Sequence, residues 1–233
     1  MAAPIYISIH DEIREAIDAG RWTPGDKIPA ERELAEQFDV SRMTLRQAIM
    51  LLVEEGVLDR RVGSGTYVAE QKVQDRLNGV MSFTELMKAA GKQASSKTIT
   101  YHVGKASASE SAHLNLTENA DVLRMERVRY GDNEPIAFEV ASIPATLVSG
   151  LTRDQLTGSL YKTLAEERNV HVARAQQTVT AAAVAERVAE LLDIKRADPV
   201  LVMRQVSFDT QDQPFEYVRT QYVGSRFEFY LEH

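Results

Sequence analysis

Arg127 and Arg129 lie two positions apart in a run whose apolar residues alternate at Leu123 and Met125, so a strand here puts both guanidinium groups on one face. Like charges held side by side call for an anion, and a phosphate takes guanidinium groups bidentately. Ser159 stands where a helix begins, and the unpaired N–H groups of a first turn, with the helix dipole, also favour an anion. Tyr161 adds a phenolic donor and Thr84, at the start of another helix, a hydroxyl. If Asp132-Asn133-Glu134 is the loop of a hairpin, Glu139 falls opposite Arg127 on the same face, and Glu216 and Tyr222 share a face by their even spacing. Carboxylates accept hydrogen bonds from sugar hydroxyl or amide groups. The set suits capture of an anionic, polyhydroxylated small molecule, and no catalytic residue is assigned.

The same residues have plainer readings. Arg127 and Glu139 also read as an exposed cross-strand ion pair, worth little energetically. Ser159 also reads as an N-cap, and Tyr222 as one of the core aromatics that alternate with Phe215, Tyr217, Phe227 and Phe229. His10, His102, His113, His171 and His233 show no close metal-ligand spacing. Neither a metal nor a cofactor is expected.

A second set lies near the start. Leu34, Ala35 and Phe38 mark a short helix, Asp39-Val40 a turn, and Leu45, Ala48, Ile49 and Leu52 a longer helix capped by Ser41 and ended by Gly56. This helix-turn-helix leaves Arg42, Thr44 and Arg46 at the leading end of its second helix, where base edges and phosphates are met. Val57-Leu58 and Thr66-Tyr67-Val68 read as two short strands, with Arg60-Arg61-Val62-Gly63-Ser64-Gly65 as a cationic tip. Glycine lets a backbone approach a sugar-phosphate surface and arginine supplies charge to it, so the hairpin reads as a wing.

These residues resemble the GntR family of bacterial transcription regulators. The resemblance runs from Pro4 to Val68 through Pro4-Ile5-Tyr6, Gly25-Asp26-Lys27-Ile28-Pro29, Ser41-Arg42-Met43-Thr44-Leu45-Arg46-Gln47-Ala48 and Gly63-Ser64-Gly65-Thr66-Tyr67-Val68. It implies that Arg32 and Arg42 read guanines in the major groove, that Thr44 and Arg46 hold phosphates, and that Gly63 enters the minor groove. Ser41, Arg61 and Gly65 complete the expected DNA-binding set. Ala30 departs from the family's usual serine, a lost N-cap worth about 1 kcal/mol.

The elements that must position these groups follow from periodicity. Ile5, Ile9, Ile13 and Ile17 make one stripe of a core-packing first helix, and Trp22 is expected beneath the domain. The polar stretch Ala69 to Gly79 reads as a linker. Beyond it, strands are predicted at Thr98–Val103, Val122–Tyr130, Pro135–Ile143, Val170–Thr180, Pro199–Phe208, Phe215–Tyr222 and Phe227–Leu231, and helices at Phe83–Ala90, Ser107–Leu114, Leu160–Arg168 and Val184–Leu192. The polar turns 131–134 and 209–213 make two of the strand pairs hairpins. The prediction is an α+β chain: a winged helix-turn-helix over 1–69, a linker over 70–79, and over 80–233 an antiparallel sheet with packed helices. A helical-bundle sensor does not fit so many β-rich segments.

The second part resembles the UTRA effector domain of the HutC subfamily, a chorismate lyase-like fold. The likeness rests on Ser82-Phe83-Thr84-Glu85, Arg127-Val128-Arg129, Pro135-Ile136-Ala137-Phe138-Glu139 with Ile143-Pro144, Gly158-Ser159-Leu160-Tyr161, and Phe215-Glu216-Tyr217 with Tyr222. It is strongest toward repressors of N-acetylglucosamine utilisation. It implies an effector site of Phe83, Thr84, Arg127, Arg129, Glu139, Ser159, Tyr161, Glu216 and Tyr222, with N-acetylglucosamine 6-phosphate as first candidate. Related domains sense other sugar phosphates, fatty acids or organic acids.

Charge is the awkward fact. The 233 residues carry a net charge of −7, and residues 1–70 hold eight Lys or Arg against thirteen Asp or Glu, a net of −5. A DNA reader is expected to be basic. Distribution resolves this, with Arg32, Arg42, Arg46, Arg60 and Arg61 on the DNA side and Asp11, Glu12, Glu15, Asp18, Glu54 and Glu55 facing elsewhere. Non-specific DNA binding is then weak, and affinity depends on a palindromic operator and a homodimer. The absence of cysteine excludes disulfides and suits a reducing compartment, and no leader or membrane-length apolar run is visible, so a cytoplasmic protein is expected. Two functions remain in view: a DNA-binding regulator controlled by a small molecule, and a chorismate lyase-like enzyme. The fused DNA reader favours the first, because catalysis has no need of it.

Overall fold

The computed structural model describes residues 4–61, 63–69, 72–76 and 79–231. Val62 of the expected wing tip, residues 70, 71, 77 and 78 of the expected linker, and His233 lie outside the described residues. Two compact units divide the chain, Met1–Gln71 and Lys72–His233.

The first unit consists of α1 (Ile5–Asp18), α2 (Glu31–Gln37), α3 (Arg42–Glu54) and the hairpin of β1 (Leu58–Arg61) and β2 (Gly65–Val68). Its core joins Ile9 and Ile13 of α1 to Leu34 and Ala35 of α2 and to Leu45, Ala48, Ile49 and Leu52 of α3. Ile5 stands outside the stripe predicted for α1 and is exposed, while Tyr6 of the same turn packs against this core. Trp22 is half-buried against the core, with the Arg21 guanidinium 4.9 Å from its ring centre. The Ser41 hydroxyl accepts from Thr44 N at 3.1 Å and caps α3. Ala30 makes no side-chain cap on α2, and Glu33 supplies only the reciprocal contact, accepting from Ala30 N at 3.3 Å.

The hairpin differs from its predicted form. Arg60 and Arg61 belong to the strand, paired with Thr66 and Gly65, and so fall outside the predicted tip. Pairing holds their backbone, so the turn contracts around Gly63, whose φ of 76° is left-handed.

The second unit holds a six-stranded antiparallel sheet in the order β4-β5-β6-β9-β8-β7. These strands are β4 (Ala94–Lys105), β5 (Asp121–Gly131), β6 (Glu134–Pro144), β7 (Val172–Ala183), β8 (Pro199–Asp209) and β9 (Pro214–Val223). On one face α6 (Arg153–Thr157) and α7 (Leu160–Arg168) pack through Leu156, Leu160 and Leu164 on Leu123, Met125, Ala141 and Ile143. Beside them α4 (Phe83–Ala89) packs through Leu86 and Met87 on Ile136, Ala137, Met203 and Tyr222. On the other face α8 (Glu186–Leu192) covers Val128 and Phe138, and Leu114 after α5 (Ala108–His113) covers Val122 and Val206.

The predicted linker is corrected in its middle. Val73–Arg76 forms β3, which pairs in parallel with β10 (Phe227–Tyr230) in a separate two-stranded sheet. Val73 is fully buried with Phe227, so one apolar anchor and a backbone ladder hold a segment whose other residues are polar. The five-residue α6 was not predicted.

A buried carboxylate ties α5 to the sheet. Glu110 takes Arg124 Nε at 2.7 Å and the Ser142 hydroxyl at 2.7 Å, and accepts from Ser107 N at 2.7 Å. Burial alone would push its pKa up, but these donors outweigh burial and hold it at about 2. A carboxyl whose folded pKa lies below its unfolded value stabilises the fold above the unfolded value, and that stability is lost as pH falls toward 2. Glu110→Gln is expected to cost roughly 3 kcal/mol at pH 7. Urea melts should show the difference from the parent shrinking between pH 4.5 and 2; a constant difference would show that packing, not charge, is at stake.

Candidate functional site

In the first unit, α2, α3 and the hairpin bound a groove that gathers Lys27, Arg32, Arg42, Arg46, Arg60 and Arg61 around a single carboxylate, Glu31. Arg60 pairs with Glu31 at 3.2 Å and Arg61 with Asp59 at 3.2 Å, while Arg32 has only a long contact to Glu36 at 3.5 Å. Arg42 and Arg46, exposed on the first turns of α3, have no ion-pair partner among the described residues. Cations kept out of internal pairs are available to phosphates and guanine edges. Thr44 directs its hydroxyl to the Ser41 hydroxyl at 2.8 Å, which fixes the leading end of the helix. Gly65 has a reason to be glycine: its φ is 133°, and a Cβ there would lie 2.6 Å from the Lys27 stem. The acidic excess is partly consumed elsewhere, since Glu55 takes Arg14 at 2.7 Å.

The second unit holds a pocket between α4, the start of α7 and one face of the sheet. All nine residues expected there line it: Phe83, Thr84, Arg127, Arg129, Glu139, Ser159, Tyr161, Glu216 and Tyr222. Strand register explains the convergence. Arg127 faces Glu139, Glu139 faces Thr220, and Ala137 faces Tyr222, so alternate residues of β5, β6 and β9 point into one space.

Charges in this pocket are dry. Arg127, Arg129 and Glu216 are 3, 4 and 4% exposed. Arg127 is satisfied, donating from Nε to Glu139 Oε1 at 2.9 Å and reaching the Thr157 carbonyl at 3.4 Å. Burial pushes the Glu139 carboxyl up, but Arg127 and Arg129 outweigh burial and leave it below the usual carboxylate range. Arg129 is not satisfied. Its Nε and Nη1 have no hydrogen-bond partner among the described residues, while its guanidinium lies 4.4 Å from the Phe83 ring centre. Burial pushes its pKa down to about 10 despite the attraction of Glu139. Buried N–H groups left unpaired in a folded protein call for an explanation, and an anion drawn from solution supplies one.

Glu216 sits in a hydrogen-bond chain. Tyr161 donates to it at 2.7 Å, and Gln205 donates to the Tyr161 hydroxyl at 3.1 Å and to the Ser207 hydroxyl at 2.9 Å. Burial raises the Glu216 pKa, and burial likewise raises that of Tyr161 well above the ordinary phenol value. Ser159 occupies the N-cap position of α7, makes no side-chain cap, and lines the pocket with Leu160 and Tyr161 of the helix's first turn.

Both halves of this geometry have relatives. Residues 5–68 match the bacterial regulatory proteins of the gntR family, and residues 89–228 match the UTRA domain. The chain belongs to the GntR family. The HTH-type transcriptional repressor NagR of Bacillus subtilis is 33% identical over 226 residues, 97% of this chain and 93% of its own. The mannosyl-D-glycerate transport/metabolism system repressor MngR of Escherichia coli is 32% identical over 98% of this chain and 95% of its own. The crystal structure of PhnF from Mycobacterium smegmatis superposes with a TM-score of 0.70 at 33% identity, covering 96% of this chain and 98% of that one. This GntR-family member is thus a DNA-binding transcription regulator of the HutC type with a UTRA effector domain, not an enzyme. No helix among the described residues is long and apolar enough to cross a membrane.

Sequence reasoning missed several groups on the walls of both sites. Lys27 enters the groove through an isolated bridge to Tyr67. Asp75, on β3, lines the pocket because the predicted linker is partly a strand of the UTRA unit. Gln205 and Gln177 face each other across β8 and β7 and are bonded at 2.6 Å. Gln205 carried a legible signal, as a polar residue in step with Leu201 and Met203 on one face of its strand. Tyr161 differs from expectation in its bonding, since its hydroxyl is spent on Glu216. Tyr222 is both core and pocket wall, stacked on Phe227 with ring centres 3.9 Å apart.

Proposed function

We propose that this regulator is a repressor of sugar or amino-sugar utilisation genes, released from its operator by a phosphorylated sugar. Arg129 carries the reading, as a buried guanidinium with two nitrogens unpaired among the described residues, in a pocket that Ser159 also lines. In this reading Arg129, Ser159, Thr84 and the first N–H groups of α7 take the phosphate, with Phe83 stacked behind Arg129. Tyr161 joins them by giving up its bond to Glu216. Arg127, Glu139, Glu216 and Tyr222 orient the sugar. The names of two relatives, which concern mannosyl-D-glycerate and fructoselysine, agree with a sugar-derived effector. N-acetylglucosamine 6-phosphate is the first candidate, followed by glucosamine 6-phosphate and other hexose phosphates.

Titration of a preformed protein–operator complex with each sugar phosphate tests the proposal. Release by one of them, and none by its unphosphorylated parent at equal concentration, is expected. Equal potency of the parent sugar would remove the phosphate from the argument.

On the DNA side, Arg32 and Arg42 read guanines, Thr44 and Arg46 hold phosphates, and Gly63 approaches the minor groove flanked by Arg61 and Gly65. One helix reads too few base pairs for an operator, so two heads on a palindrome are needed. The edge strand β7 supports assembly through the UTRA unit, for it is twelve residues long, largely exposed, and pairs only with β8 among the described residues. Sedimentation at micromolar concentration is expected to give twice the chain mass of 26.0 kDa. A chain that stays monomeric on operator DNA would defeat this assembly.

A further inference from the structure

Met43 is the residue of the DNA head that its chemistry leaves unexplained. It is 68% exposed, whereas Leu45, Ala48, Ile49 and Leu52 of the same helix are buried, and Met50, the helix's other exposed methionine at 48%, does not line the cationic groove. It lines the cationic groove beside Arg42 and Arg46, and recurs on the outer face of α3 with Arg46 and Met50 at helical spacing. A single exposed methionine needs no explanation on an ordinary surface. This one stands at the leading end of the helix that the surrounding cations aim at a polyanion. Desolvation there returns something only if an apolar group faces it. In the major groove that group is the 5-methyl of thymine, which marks a T·A pair apart from every other.

We propose that Met43 is a specificity-determining residue that reads a thymine methyl in each operator half-site, next to the guanine read by Arg42. The proposal rests on α3 entering the major groove. Its flexible thioether side chain lets the contact form without displacing the arginines on either side. The head then reads one half-site through two chemistries, a charged fork on guanine and an apolar contact on thymine. The second is insensitive to salt, because it neutralises no phosphate.

The test uses the full-length protein and a duplex selected by it from a random library, followed by replacement of each thymine in turn with deoxyuridine. This removes one methyl and leaves every hydrogen-bonding edge intact. Fluorescence anisotropy is expected to show one thymine per half-site whose replacement weakens binding about three- to tenfold. Met43→Ala should bind the thymine and deoxyuridine duplexes equally while keeping its preference for the selected guanine, and Met43→Leu should restore part of the penalty. Because Met43 is exposed, both variants are expected to keep the parent melting temperature. Deoxyuridine neutral at every position, or a penalty that Met43→Ala retains, would overturn the proposal. A selection that enriches no sequence would instead overturn the placement of α3 in the major groove, and the proposal with it.

Discussion

Arg129→Ala is expected to weaken sugar-phosphate binding at least about a hundredfold, because it removes one partner of a desolvated, charge-assisted hydrogen-bond pair. The same substitution should raise the melting temperature of the ligand-free protein, which is an unusual sign for truncation of a buried side chain. Its folded pKa of about 10 lies below the unfolded value, so at every pH below about 10 the fold carries the cost of a charge its surroundings disfavour. That cost is roughly 3 kcal/mol, against which the lost stacking on Phe83 is the smaller effect. Operator affinity without effector should not change. Scanning calorimetry with and without N-acetylglucosamine 6-phosphate reads both effects. A lower melting temperature with unaltered ligand affinity would make Arg129 a core residue and leave the phosphate without a receptor.

Arg42→Ala should separate specificity from affinity in the head. A bidentate guanine contact contributes about 1–3 kcal/mol, so on the proposed palindrome, read by two heads, discrimination should fall by roughly thirtyfold or more. Binding to random DNA should change little. Arg46→Ala is the contrast, since loss of a phosphate contact weakens operator and random DNA alike and lowers the salt slope by about one per head. Anisotropy titrations on both duplexes at two salt concentrations distinguish the two; uniform weakening by Arg42→Ala would move that residue from the bases to the backbone. Arg32→Ala should behave as Arg42→Ala does, because its exposed contact to Glu36 is too weak to restrain it.

The pocket was legible where its residues sit on regular strands. Two apart means same face, so Arg127 with Arg129 and Glu216 with Tyr222 could be placed without coordinates. The facing of Arg127 and Glu139 has a more instructive origin. The loop was read as three residues, yet the hairpin closes from Gly131 to Glu134 around Asp132 and Asn133, both at positive φ, which is a tighter turn. One extra residue in β6 breaks the register after Tyr130–Pro135 and restores Arg127 opposite Glu139. Two departures cancelled, so the facing was right although the loop was not. Other features left no local mark. Strand β3 shows only Val73 as an apolar residue, and its partner Phe227 lies more than 150 residues away. Whether the Tyr161 hydroxyl faces a ligand or Glu216 depends on Ser207 and Gln205, which a different part of the chain supplies. The burial that distinguishes Arg127 and Arg129 from a surface ion pair comes from α4, α6 and α7, and no spacing rule within β5 could show it.

The pairing of β3 with β10 also sets an order of events during synthesis. The helices and hairpin of the DNA head are complete in sequence by Val68, whereas the strand that anchors the entry to the UTRA unit waits for Phe227–Tyr230. At about 5–20 residues per second the ribosome takes roughly ten to thirty seconds to cover that distance. A folded head therefore precedes any finished effector pocket, and for that interval a nascent chain has a reader of DNA but no receptor for metabolite. If the UTRA unit is also what pairs two chains, the same delay protects the cell: a head that cannot yet respond to its effector is still a single head, too weak to hold an operator.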